Sequence, residues 1–391
     1  MNSKKGSLMP VSRLCVDLKA LAGNLKALKG QCSPDILLMA VVKANAYGHG
    51  AVPVAKTALA NGASFLAVAR VHEALELREA GISAPLLLFG DVDPSQVEWL
   101  SSHDVRVSLG SFDAAREIAG VACGCGHELK VHIKVDTGMG RLGVVIPDRS
   151  GSADESDSAI DDITRIISLQ SIHVEGIYTH FANADVVDKS HVSGQLERFN
   201  HLLLALEQRG IKPAICHAAN SAAIMEIPQG HFNMVRAGIA MYGLWPSDQV
   251  GRDIVNLDPV MSVTSKIIHL KDVPSGFGIS YGTTHVTKSP TRIATVPIGY
   301  ADGYSRLLSS KGEMLVKGVR CPVVGRVCMD YTMIDVGHVH DVAVGDGVVV
   351  MGRQGDQQIT ADEIARHINT INYEIVCSFN RRMPLVVNFE I

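Results

Sequence analysis

Eight times in the first 250 residues a short apolar run is followed by a helix-length stretch of mixed polarity. This alternation restricts the fold more than any single motif does. The runs are 36–44, 65–70, 85–90, 106–110, 129–138, 172–180, 215–220 and 232–238. Between them, 52–61, 71–80, 94–102 and 193–209 read as helices; in 71–80 the apolar Val71, Ala74, Leu75 and Leu77 alternate with charges. Eight such units match a (β/α)8 barrel, an α/β fold in which strands are buried on both faces. A doubly wound open sheet is the structural alternative, but no GxGxxG opens the first unit, which counts against a dinucleotide site.

After about residue 250 the pattern changes. Segments 261–270, 292–297, 313–316, 320–327, 332–335 and 347–351 are short and β-branched, with Gly, Pro and Asp turns between them. The expected organisation is a barrel over 11–250 followed by a mostly β domain over 251–391. Solenoid and propeller repeats are not visible. The small, acidic stretch 148–158 reads as a surface loop without function.

Charge excludes some partners. A net charge of −4 and a pI of about 6.5 leave no basic field for nucleic acid. No apolar run approaches the length of a membrane span, and the start of the sequence does not read as a signal peptide. The 8 cysteines are scattered without a CxxC, and Cys123-Gly124-Cys125 is too tight for the usual zinc spacing. Reduced thiols, no metal and a cytoplasmic location are the expectation.

The first apolar run ends in Val42-Lys43-Ala44-Asn45-Ala46-Tyr47-Gly48-His49-Gly50. An ammonium at the end of a buried strand is costly unless paired or neutralised. One use for it is a Schiff base with a carbonyl cofactor, pyridoxal phosphate above all; the other reading is a lysine that bends out to solvent. Other strand ends repeat the pattern: Lys134 with Thr137-Gly138-Met139-Gly140-Arg141, then Tyr178-Thr179-His180, His217-Ala218-Ala219-Asn220-Ser221 and Arg236-Ala237-Gly238-Ile239. Barrel active sites lie at this end, and phosphate commonly binds after strands seven and eight, where Asn220, Ser221, Gly238 and Ile239 fall.

These stretches, with Ile279–Gly282, Pro297–Arg306, Gly325–Asp330 and Asn372–Cys377, resemble those of the alanine racemase family, pyridoxal-phosphate enzymes of fold type III. The resemblance spans both expected domains. It implies that Lys43 carries the cofactor and serves as one of two catalytic bases, Tyr281 being the other. Tyr47, Asn220, Ser221, Gly238, Ile239 and Tyr373 would bind the cofactor, mostly at its phosphate. Arg236 would face the pyridine nitrogen, with His180 near the ring and behind the second base. Arg141 would reach the substrate carboxylate, and Tyr300 and Met329 would line the entrance. Lys134 matches a lysine that is often carbamylated in the family. The family is a head-to-tail homodimer, so Tyr281, Tyr300 and Met329 would serve the partner's site.

The implied activity is interconversion of L-alanine and D-alanine, with a broader serine or lysine range left open, as is a biosynthetic or catabolic role. Racemisation removes a proton from one face of Cα and returns it to the other, which suits two bases. An arginine stays protonated, so the pyridine nitrogen it faces is not readily protonated and the ring is a weaker electron sink. Two other classes remain: a non-catalytic cofactor carrier, which is a single barrel, and a decarboxylase of the same fold type, which places an acidic residue where Arg236 stands.

Overall fold

The computed structural model describes residues 11–148, 153–379 and 382–387. They form two compact units, one of residues 20–46 and 51–258, the other of residues 11–19, 47–50 and the described chain from 259 onward.

The first unit is a closed barrel of eight parallel strands: Leu37–Val41, Phe65–Val68, Leu86–Leu88, Val105–Leu109, Leu129–Asp136, Ile172–Tyr178, Ile215–His217 and Met234–Ala237. Each expected apolar run overlaps one of them, the fourth strand beginning one residue before its run. The first pairs with the second (Met39 opposite Phe65) and with the last (Met39 opposite Arg236); Val107 opposite Val131 completes the ring. Leu38, Met39, Leu66, Leu86 and Val131 are fully buried, as strands covered on both faces require.

Lys134, Tyr178, His217 and Arg236 lie in the last residues of their strands, while Lys43, Arg141, His180, Asn220 and Ser221 follow the strand ends. One register matters for the site. Between Ile172–Tyr178 and its neighbour Leu129–Asp136 the pairing shifts after Val131, so that His132 lies opposite Gly176. A Cβ on Gly176 would come within 2.8 Å of the His132 ring. Glycine is therefore what lets that imidazole lie across the strand.

In the second unit, Val319–Pro322, Glu313–Val316, Gly347–Gln354, Met261–Lys266, Arg13–Val16 and Leu385–Val387 form one sheet in that order. Arg13–Val16, which the sequence reading grouped with the barrel, runs antiparallel to Met261–Lys266 here. A three-stranded sheet, His269–Val273, Thr291–Val296 and Thr332–Asp335, carries a small core of Val273, Ile279, Ile293, Val324 and Met333. Two helices not expected from the sequence, Ala361–Ile368 and Asn372–Ser378, complete it; the Thr360 hydroxyl caps the first by accepting the Glu363 N–H. Residues 149–152 of the acidic stretch lie outside the described residues, and helix Ala153–Ile167 begins within its second half. No helix among the described residues is long and apolar enough to cross a membrane. The eight cysteines are free thiols.

Tyr242, fully buried, donates its hydroxyl to the Val41 carbonyl at 2.9 Å, at the end of the strand that leads to Lys43. Tyr242→Phe leaves that buried carbonyl without its donor. It is expected to lower stability by about 1–2 kcal/mol in denaturant unfolding; an unchanged midpoint and slope would show that the bond contributes nothing.

Candidate active site

Lys43 lies two residues beyond the first barrel strand, half-buried. The chain then does something uncommon. Ala44, Asn45, Ala46 and Tyr47 have φ of 54°, 53°, 54° and 52°, a run of left-handed residues without a glycine. Each costs about 1–2 kcal/mol relative to right-handed backbone. Three bonds hold the turn: Ala46 N–H to Val42 O at 2.8 Å, Ala44 N–H to Glu73 Oε1 at 2.6 Å, and Ala51 N–H to Asn45 Oδ1 at 2.9 Å.

Arg236, on the last strand, is buried and donates to four neutral acceptors. NH1 reaches His217 Nδ1 at 2.7 Å; NH2 reaches Ala218 O, Thr179 O and His180 Nδ1 at 2.8, 3.0 and 3.2 Å. Burial lowers its pKa to about 10, which leaves it charged at neutral pH. A guanidinium can only donate, so both histidines present bare Nδ1 and carry hydrogen on Nε2. The chain of bonds continues. His217 Nε2 donates to His132 Nδ1 at 2.8 Å, and His132 Nε2 to Glu175 Oε2 at 3.2 Å; Arg106 grips the same carboxylate through two bonds of 2.8 and 3.0 Å. Burial raises the Glu175 pKa, but His132 and Arg106 outweigh it and pull it down to about 2. Burial and Arg236 push His217 well below the usual histidine range, so it is neutral.

Tyr178 ties this chain to Lys134. Its ring stacks on His217, centroids 4.6 Å apart and 3° from parallel, and its hydroxyl donates to Ser108 Oγ at 2.8 Å. The Arg236 guanidinium and the Lys134 ammonium each lie 5.4 Å from that ring's centroid. Burial above all, then Arg236, lowers the Lys134 pKa to about 7 against the pull of Asp136. His180 lies within the field of Arg236, Arg141, Lys134 and Lys43; burial and those four cations keep it neutral. The loop that carries Arg141 is shaped by Asp136, whose carboxylate accepts the N–H groups of Gly138, Met139 and Arg141 at 2.8, 2.8 and 3.1 Å. Arg141 itself is exposed.

At the ends of strands seven and eight, Asn220 caps the helix Ser221–Glu226 by accepting the Ala223 N–H at 3.1 Å. Ser221 Oγ accepts the N–H groups of Gly238 and Ala240 at 3.0 and 3.2 Å, which draws Gly238 and Ile239 to the serine. This is a cradle of hydroxyl and amide groups next to a cluster of cations, a donor set that suits a phosphorylated, anionic cofactor.

Within the second unit, Tyr47 and Tyr373 lie with ring centroids 6.2 Å apart; burial keeps the Tyr47 hydroxyl protonated, and hence a donor. Tyr281 sits in a turn where Ser280, at φ 63°, donates its hydroxyl to Arg326 O at 2.6 Å. Tyr300 and Met329 are brought together by the bonds Tyr300 N–H to Cys328 O and Ala301 N–H to Met329 O, both 3.0 Å. Gly299 makes this approach feasible, since a Cβ there would fall 2.3 Å from the Met329 oxygen. Tyr281, Met329 and Tyr300 are 70%, 52% and 42% exposed, so they face away from their own unit.

Residues 16–246 match the family profile described as alanine racemase, N-terminal domain, and residues 260–387 match its C-terminal domain. The chain belongs to the alanine racemase family. That family is one of pyridoxal-phosphate-dependent isomerases. A curated alanine racemase of Desulforamulus reducens is 48% identical over 95% of this chain and 97% of its own length. The solved alanine racemase of Clostridium difficile 630 superposes with a TM-score of 0.91 at 39% identity, covering 98% of this chain and 97% of that one. Another, from Bartonella henselae and described with covalently bound pyridoxal phosphate, gives 0.84 at 26% identity, over 96% of this chain and 99% of that one. The C-terminal match covers the region that a single-barrel carrier lacks.

Within the barrel, the structure thus brings Lys43, Lys134, Arg141, His180 and Arg236 together, and separately Asn220, Ser221, Gly238 and Ile239. Within the second unit it pairs Tyr47 with Tyr373 and groups Tyr281, Tyr300 and Met329. The sequence reading missed Glu73, His132, Asp136 and Glu175, which hold the others in place. Asp136 falls within the stretch 134–143 that carries the resemblance but was given no role there, and the other three sit in no motif; the shared sign is a charged or titratable residue inside an otherwise apolar strand or at a helix start.

Glu175 has a folded pKa below its unfolded value, so its stabilising contribution is complete above about pH 4.5 and lost as pH falls through about 2. The melting-temperature difference between wild type and Glu175→Gln should therefore be largest at pH 5–7 and shrink steadily at pH 4 and 3. A difference that does not change with pH would show that the Glu175 charge is not coupled to His132 and Arg106.

Proposed function

We propose that this family member interconverts L-alanine and D-alanine by a two-base mechanism, with Lys43 as one base and Tyr281 of the partner subunit as the other. The observation that carries the reading is the cation cluster around His180: Lys43, Arg141 and the buried Arg236, which reaches His180 Nδ1 at 3.2 Å, act on one point at the C-terminal end of the barrel. Such a site favours negative charge developing at a substrate carbon.

Pyridoxal phosphate, when bound, supplies an electron-withdrawing ring joined to the substrate nitrogen, which acidifies the Cα–H bond. Lys43 would hold the cofactor and carry the proton on one face of Cα. Tyr47, Ser221, Gly238, Ile239 and Tyr373 would hold its phosphate end, with Asn220 keeping the helix that presents Ser221 in place. Arg236 would donate to the pyridine nitrogen without surrendering its proton, since even at about 10 its pKa lies above neutrality. His180, bare at Nδ1 where Arg236 donates, keeps its Nε2–H to orient the second base.

Lys134 has a further property. An amine with a pKa of about 7 is half unprotonated near neutrality, the form that reacts with carbon dioxide. As a carbamate it would become an anion beside Arg141 and steer that guanidinium toward the substrate carboxylate. Labelled bicarbonate should give a carbamate carbon signal in wild type that Lys134→Ala lacks; equal spectra would remove this role.

Tyr281, Tyr300 and Met329 are exposed large aromatic or apolar groups, and Tyr300 and Met329 are neighbours, a composition that suits an interface better than a solvated turn. This supports a homodimer with shared sites. The primary test is incubation of the protein and cofactor with L-alanine, followed by chiral analysis. D-alanine should accumulate to an equal mixture, and Lys43→Ala should abolish the reaction; no D-alanine from wild type would overturn the proposal.

Sharing is tested by complementation. Lys43→Ala and Tyr281→Ala should each be nearly inactive. After subunit exchange about half the dimers are mixed, and one of the two sites in each is intact, so about a quarter of wild-type activity should return. Verified exchange with no recovery would mean that each site is built within one chain.

A further inference from the structure

We propose that Glu73 is a positioning residue for Lys43, acting through the left-handed turn that carries the lysine. The inference rests on the cofactor-binding role proposed for Lys43. Glu73 is the third residue of the helix Val71–Glu79, a position from which a glutamate commonly reaches back to cap its own helix. One oxygen does this: Oε2 accepts the N–H groups of Ala69 and Arg70 at 2.8 and 3.0 Å. The other leaves the helix. Oε1 accepts the N–H of Ala44 at 2.6 Å, 29 positions earlier and immediately after Lys43.

Three features make this more than a cap. Glu73 is buried at 9% exposure, so water does not readily replace it. An ionised carboxylate only accepts, so it can gather three N–H groups from two loops without a donor conflict; an amide would turn an N–H₂ toward one of them. And the amide it fixes opens the run of left-handed residues, in which Ala44 and Ala46 have no polar side chain to compensate the strain locally. The peptide that Glu73 holds joins Lys43 to Ala44, so losing its bond frees the backbone torsions of Lys43 itself. Glu73 therefore fixes the lysine's direction without touching cofactor or substrate.

The test uses the holoenzyme of wild type, Glu73→Gln, Ala44→Gly and the double variant. Three quantities are read: kcat and KM per bound cofactor, deuterium uptake by the 42–50 segment, and melting temperature. Glu73→Gln should lower kcat about tenfold with KM changed less than about twofold, and should speed exchange at residues 44–47. Glycine adopts left-handed backbone without penalty, so adding Ala44→Gly should return kcat to within about threefold of wild type.

A Glu73→Gln variant that loses only melting temperature, with kcat per bound cofactor and exchange unchanged, would overturn the proposal and leave Glu73 a helix cap. So would a kcat deficit that Ala44→Gly does not relieve. If Glu73→Gln does not accumulate as folded protein, the double variant decides: recovery of folded, active enzyme supports the proposal, and no recovery overturns it. Absence of racemisation by wild type would reject the proposed function, while the exchange comparison would still judge Glu73.

Discussion

The site depends on one buried cation. Arg236 is surrounded by two imidazole nitrogens and two backbone carbonyls, and the carboxylate that balances it stands two histidines away. A carboxylate in direct contact would hold the guanidinium in a tight pair and blunt its field. Bonds in series transmit polarisation instead. Glu175 makes His132 a better acceptor, His132 does the same for His217, and His217 draws on the Arg236 N–H. The arrangement keeps the arginine charged and directed while leaving most of its field for whatever occupies the barrel end. Directionality also matters: because arginine cannot accept and carboxylate cannot donate, the tautomers of His217 and His132 are fixed from both ends.

The loops around this chain share a device. Glu73 gathers the amides of Ala44, Ala69 and Arg70; Asp136 gathers those of Gly138, Met139 and Arg141. In both cases an acceptor-only anion shapes a loop that carries a basic side chain, Lys43 in one and Arg141 in the other. The carboxylates are engaged by backbone amides, and the side-chain cations are left to act on His180 and its surroundings. A site for an anionic ligand is thus obtained without filling it with competing carboxylates, and strained backbone such as the left-handed run is held by tertiary bonds rather than by glycine.

The barrel and the polar strand ends were legible because they rest on local pattern. Apolar runs such as 65–70 and 85–90, short and alternating with helix-length stretches, read as buried strands, and the polar residues that end them fall at strand ends whatever the register. Three things were not legible. The strand Arg13–Val16 belongs with Met261–Lys266 through a pairing of residues some 250 positions apart, which no local window contains. The helices Ala361–Ile368 and Asn372–Ser378 are short and follow a run of strands, so their composition does not separate them from turns. And Glu73, Asp136 and Glu175 act on groups placed by the fold, so their roles arise only once strands are registered. The shift that sets His132 opposite Gly176 illustrates this: one skipped residue decides whether the imidazole points along the relay or away from it.

The second unit presents the complementary problem. Its fold places Tyr281 at a turn tied to Arg326 and sets Tyr300 beside Met329, yet all three side chains face outward. Ser280 is held at positive φ to do this, next to a buried Ile279 that anchors the turn in the small core with Ile293 and Met333. Strain, a rigid anchor and exposed aromatic groups at the same place are a poor solution for a surface that meets only water. They would suit the role proposed for Tyr281, whose phenol must be held at a fixed height and direction. A reaction that exchanges a proton between two faces of one carbon needs that second donor to be as rigidly held as the first. The left-handed turn after Lys43 and the strained turn at Ser280 are each held by bonds within their own unit, Ala44 N–H to Glu73 in one and the Ser280 hydroxyl to Arg326 O in the other.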